Sequence, residues 1–119
     1  MKKTVVLGAS ENPARYSYLA VQRLTNHLHP VIAIGRKVGL INGVSIITNL
    51  PAEKDIDTVT LYLNPIAQKA YYDYIFSLNP KRIIFNPGTE NEELENLAKE
   101  KGIQAIEACT LVMLSTGQY

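Results

Sequence analysis

The chain has 119 residues, enough for one domain (residues 1–119) whose core needs neither disulfides nor a metal staple. Twelve basic residues against eleven acidic ones are interspersed, which excludes a basic nucleic-acid surface, and no apolar run approaches the ~20 residues of a membrane helix. The lone cysteine, Cys109, excludes an internal disulfide and a multi-cysteine metal site, and Met1-Lys2-Lys3 runs straight into an apolar segment, so a cytoplasmic protein without a secretory signal is expected.

Thr4-Val5-Val6-Leu7 is a β-branched apolar run that stops abruptly at Gly8. Ala9-Ser10-Glu11-Asn12-Pro13 follows, then a helical pattern from Arg15 to Leu28 with Val21, Leu24 and Leu28 at spacings of three and four. Strand, glycine turn and helix start in this order open a dinucleotide-binding fold. Glycine lets the backbone approach a ligand, and the first helical turn leaves N–H groups free for a phosphate. Only Gly8 of the three G-x-G-x-x-G positions is glycine; the others are Ser10 and Pro13, so an ordinary strand-to-helix turn is the competing reading.

Pro30 ends the helix, and Val31 to Ile34 forms the second strand up to Gly35. His27 and His29, two apart, do not share a helix face, and no metal site is expected from them. Asn42-Gly43 is a turn signal, and Val44 to Ile47 a short strand with no long helix before Asp57. Thr58 to Leu63 is the next strand. Asn64-Pro65 then starts a helix as N-cap and first-turn proline, with an inward stripe of Ala67, Ala70, Tyr71, Tyr74, Ile75 and Leu78. Arg82 to Phe85 is a strand ending at Asn86-Pro87-Gly88. Thr89-x-x-Glu92 reads as a capping box for a helix stopped by Gly102. Ile103 to Ile106 is the last expected strand, and the apolar tail from Ala108 to Tyr119 is expected on the sheet or on another subunit. The alternation predicts an α/β, three-layer Rossmann-like domain with a parallel sheet of about five strands.

In such a fold the strand C-termini gather the candidate ligand residues on one edge. These are Gly8, Ala9, Ser10, Asn12, Arg15 and Ser17 after the first strand, and Gly35, Arg36 and Lys37 after the second. Leu63 and Asn64, then Asn86, Pro87 and Gly88, complete the set. A nicotinamide site would put a carboxylate after the second strand to hold a ribose diol, whereas Arg36-Lys37 stands there. A basic pair suits a ribose phosphate, which fits the 2′-phosphate of NADP or the 3′-phosphate of coenzyme A; solvated surface charge is the alternative. No nucleophile elbow, metal-ligand spacing or carboxylate pair emerges, so no catalytic residue is assigned.

Gly8-Ala9-Ser10-x-Asn12-Pro13-x-Arg15-x-Ser17-Tyr18 resembles the opening motif of the small stand-alone CoA-binding proteins, which are similar to the CoA-binding domain of succinyl-CoA synthetase α subunits. The likeness extends through Lys37, Ile41-x-Gly43, Asp57-x-Val59, Gly88 and Cys109. It implies a Rossmann-like fold binding coenzyme A, with the diphosphate at Gly8 to Asn12 and the adenosine end near Gly35 to Lys37. Against that family, this chain has Gly35-Arg36 for Asn-Pro, Leu63 for arginine, Asn86 for glutamine, Ala108 for arginine and Met113 for glutamate.

The favoured expectation is a coenzyme A or acyl-CoA binding module, with an acyl-transfer enzyme as partner and a homodimer formed through the apolar tail or the neighbouring sheet face. A small NADP-dependent oxidoreductase and a dimerising scaffold without ligand are the alternatives. Cys109 reads either as a reactive thiol able to pair with the coenzyme or as an inert residue among apolar neighbours.

Overall fold

A computed structural model describes residues 1–119, and its core is a seven-stranded sheet in the order β3-β4-β2-β1-β5-β6-β7. The strands are β1 (Thr4–Leu7), β2 (Val31–Ile34), β3 (Gly39–Ile41), β4 (Val44–Ile47), β5 (Thr58–Leu61), β6 (Arg82–Phe85) and β7 (Gln104–Glu107). All pairs are parallel except β3 with β4. Leaving out β3, the order is that of a doubly wound dinucleotide fold, with its reversal at β1.

The sheet therefore has seven strands instead of about five, and it is not wholly parallel. The difference lies in the stretch after Lys37. Asn42, at φ 50°, and Gly43, at φ 81°, make a tight turn that folds β3 back on β4. This hairpin takes the place of a crossover helix.

Helices cover both faces, as the near-continuous apolar strands require. On one face Val5, Leu7, Val59, Leu61, Ile83 and Phe85 pack against α3 (Tyr72–Leu78) and α4 (Glu92–Glu100). On the other, Val6, Ala33, Ile46 and Ile84 meet α1 (Tyr16–Asn26) and α5 (Thr110–Ser115). Residue alternation along each strand sends successive side chains into the two cores. No helix is long and apolar enough to cross a membrane.

Three local expectations change. The helix after Asn64 is not continuous: α2 (Pro65–Gln68) passes through a 3-10 turn at Lys69–Tyr71 into α3. That break turns Gln68 inward and leaves Ala70 exposed. The N-cap of α4 is Asn91, whose side chain accepts from the Leu94 N–H, while Thr89 instead donates to the Asn86 carbonyl. The tail is a helix, α5, with Leu114 and Tyr119 buried in their own chain; Val112 is its exposed apolar residue. The uncovered apolar tail on which the homodimer was expected is thus largely covered from within.

Candidate functional site

Strand β1 ends in a turn that only glycine tolerates. Gly8 has φ +94°, and a Cβ there would lie 2.9 Å from the Tyr62 backbone just beyond β5. Gly35 is constrained differently: its Cβ would stand 2.3 Å from the Ala9 carbonyl oxygen. The two glycines let three chain segments come together above the sheet. They form the floor of a cleft of about 660 Å³ at the C-terminal ends of β1, β2, β5 and β6.

The cleft brings together thirteen of the fourteen residues expected from sequence. Gly8, Ala9, Ser10, Asn12, Arg15 and Ser17 line one wall, Gly35, Arg36 and Lys37 the next, and Leu63, Asn64, Pro87 and Gly88 the far side. Asn86 is the exception. It is buried beneath the cleft, where its Nδ2 donates to Thr60 Oγ1 at 2.6 Å and to the Leu61 carbonyl at 2.8 Å. Its Oδ1 accepts the Thr110 N–H at 2.9 Å, capping α5 from a distance of 24 residues. A buried amide so fully paired does structural work.

The hydrogen bonding of the glycine loop separates its donors into two sets. The N–H groups of Gly8 and Ala9 both donate to the Ile34 carbonyl, so they hold the turn against β2. Asn12 N–H donates to Ser10 Oγ, and Ala14 N–H to Asn12 Oδ1. The N–H groups of Ser10, Glu11, Tyr16 and Ser17 carry no bond within the protein, and neither does the Ser17 hydroxyl, although that residue is 4 % exposed. Arg15 is the N-cap of α1 but supplies no side-chain cap. The start of α1 therefore offers free donors and a positive dipole end to the cleft, which suits an anionic oxygen.

The guanidinium of Arg36 and the ammonium of Lys37 also have no carboxylate partner. One carboxylate does reach this wall, and sequence order conceals it. Glu11 leaves the glycine loop and accepts the Leu40 N–H on β3 through Oε2 at 3.0 Å. It thereby covers a backbone donor on the outer edge of the sheet and ties the loop to the hairpin.

Residues that sequence reasoning left out of the cleft are Glu11, Tyr16, Val38, Tyr62, Tyr71 and Thr89. Glu11 lies inside the opening motif and could have been included on that ground. Helical periodicity places Tyr71 in the core stripe, whereas the 3-10 turn brings it to the cleft. Tyr62 presents its body to the cleft and buries its hydroxyl, which finds no hydrogen-bond partner. Burial pushes that phenol far above its usual range, so it stays neutral. Cys109 is half-buried at the start of α5 and is not among the lining residues.

A family described as "CoA binding domain" matches residues 2–115. The chain belongs to that family. No curated protein matches it. Among solved structures, this CoA-binding domain is similar to an uncharacterized protein at 55% identity, with a TM-score of 0.97 over 100% of this chain and 98% of the other. It shares its fold with a hypothetical protein from Pyrococcus horikoshii OT3 (23% identity, TM-score 0.87, 97% of this chain and 82% of that one). The same holds for a protein from Thermus thermophilus (20% identity, TM-score 0.86, 99% and 90%). No group of three or more His, Cys, Asp or Glu side chains in this domain is placed to hold a metal ion.

Proposed function

We propose that this chain is a binding module for coenzyme A or an acyl-CoA. The diphosphate rests on the loop from Gly8 to Asn12 and the first turn of α1, and the 3′-phosphate lies against Arg36 and Lys37. The observation that carries this reading is that one cleft holds the free donors of Ser10, Glu11, Tyr16 and Ser17 beside the unpaired cations of Arg15, Arg36 and Lys37. Unpaired donors of both kinds match a ligand with a diphosphate and a separate phosphate. On this reading the module acts as a sensor for, or a partner of, an acyl-transfer enzyme.

The test is a calorimetric titration with CoA, 3′-dephospho-CoA, NADP and NAD at one ionic strength. CoA is expected to bind more tightly than dephospho-CoA by about 1.5–3 kcal/mol, the worth of a charged hydrogen bond. That gap should shrink in the Arg36→Ala/Lys37→Ala double variant. Equal affinity for the two coenzymes in the wild type would show that the basic pair is ordinary surface charge. A preference for NADP would move the reading to a small oxidoreductase.

A further inference from the structure

The cleft is electrically lopsided. Its lining cations, Arg15, Arg36 and Lys37, all lie on the β1–β2 side. The opposite half, beyond β5 and β6, is lined by Leu63, Asn64, Tyr71, Pro87, Gly88 and Thr89, none of them charged. From β2 to β6 is three strand spacings, about 14 Å. Outside the lining, Glu90 Oε1 accepts the Gly88 N–H at 2.8 Å, Glu93 Oε1 accepts the Tyr72 hydroxyl at 2.9 Å, and Lys69 opens the 3-10 turn that carries Tyr71.

That far half is also held rigid. The buried Gln68 donates from one Nε2 to the carbonyls of Leu63 and Thr89, both at 2.8 Å, and so staples the β5–α2 loop to the β6–α4 loop. Its Oε1 accepts from Asn91 Nδ2, which also reaches the Tyr72 hydroxyl. A closed buried network of this kind resists the rearrangement needed to bring a new partner to a charged ligand group.

We infer that the β5–β6 half of the cleft selects the acyl group: it accepts thioesters with an uncharged acyl chain and rejects those that end in a carboxylate. This rests on the coenzyme A reading, because with the phosphates on the β1–β2 side the pantetheine arm and acyl head extend across β5 and β6. A terminal methyl there meets Leu63, Tyr71 and Pro87. A terminal carboxylate loses water there and finds no cation in the lining, while the Glu90 carboxylate stands at the Gly88 edge.

Butyryl-CoA and succinyl-CoA form the decisive pair, since the second differs by a carboxylate in place of the terminal methyl. Calorimetric titration of the full chain is expected to give succinyl-CoA about tenfold weaker binding than butyryl-CoA, with CoA itself bound. Glu90→Gln, which removes a negative charge, should narrow the gap. Leu63→Lys, which adds a cation to the wall, should narrow it further. Equal affinities for the two thioesters, with CoA bound, would overturn this inference and leave the coenzyme A reading standing. A gap that neither variant alters would remove the selection from this wall. Failure of CoA to bind at all would overturn both readings.

Discussion

The two ends of the same strands treat polar groups in opposite ways. At their N-terminal ends, polar side chains are paired. Thr4 Oγ1 lies 2.5 Å from the Tyr119 hydroxyl, and Arg82 donates to Thr58 Oγ1 at 2.7 Å and to the Tyr119 carbonyl at 3.0 Å. The Arg82 guanidinium also stacks over the Tyr119 ring, 4.4 Å from its centre, and the Lys2 ammonium reaches the same carbonyl. His29 packs against the same ring in a tilted contact, 4.9 Å between centroids, and accepts the Lys2 N–H. At the C-terminal ends, by contrast, the N–H groups of Ser10, Glu11, Tyr16 and Ser17, the Ser17 hydroxyl and the cations of Arg15, Arg36 and Lys37 lack protein partners. One end closes the fold; the other leaves unspent hydrogen-bonding capacity where a ligand can use it. A basic residue thus means different things at the two ends: Arg82 is a structural clamp, and Arg36 an available donor.

Stability and binding therefore come apart by position. The largest effect is expected at the closed end. Tyr119→Ala removes a buried ring, its hydroxyl bond to Thr4 and the surface on which Arg82 stacks, and should cost about 3–5 kcal/mol in denaturant unfolding. CoA affinity, measured under conditions where the variant is folded, should stay close to wild type. A large loss of affinity would break the separation. Gly8→Val tests the opposite end. A branched side chain at φ +94° against the Tyr62 backbone should cost about 2–3 kcal/mol of stability and abolish coenzyme binding.

Gln68→Ala strands the acceptors on Leu63 and Thr89 and is expected to cost about 2 kcal/mol. It loosens the far wall without touching the glycine loop, so CoA should still bind while discrimination between butyryl- and succinyl-CoA weakens. Ser17→Ala sharpens the comparison most cleanly. Its hydroxyl has no partner in the protein, so stability should change by less than about 0.5 kcal/mol. CoA binding should weaken by about 1 kcal/mol if that hydroxyl donates to the diphosphate. Unchanged affinity would take Ser17 out of the site.

The smallest effect concerns pH. Burial, with neighbouring cations including Lys2 and Arg82, lowers the His29 pKa below 6.5. The unfolded chain then binds the proton more readily than the folded one. His29 therefore contributes nothing adverse above the unfolded value and subtracts stability as pH falls below it. A urea-unfolding series from pH 8 to pH 5 should show this decline, and His29→Gln should flatten it.

Much of the fold is legible in local patterns. Apolar strands alternate with helical segments, Asn64-Pro65 caps and opens α2, and Gly102, at φ +74°, ends α4. The Asn42-Gly43 turn was also visible, but its consequence, an added antiparallel strand, was not. Thr89 and Asn91 show why caps are harder to assign than helices. Both are acceptable capping residues, and the choice fell to Asn91 because the Thr89 hydroxyl donates back to the Asn86 carbonyl while Gln68 holds the Thr89 carbonyl.

The site divides in the same way. Gly8, Gly35 and the Arg36-Lys37 pair were identifiable from sequence because strand ends, backbone geometry and adjacent charges are properties of short segments. Glu11 on Leu40, Gln68 across two loops, Asn86 under α5 and Tyr119 between Thr4 and Arg82 were decided by the tertiary structure. Their roles depend on which donor or acceptor elsewhere in the fold remains to be satisfied, as with Asn86 and Thr110, 24 residues apart. Local sequence determines which backbone turns can form, whereas only the packed chain determines which polar groups find partners and which are left for a ligand.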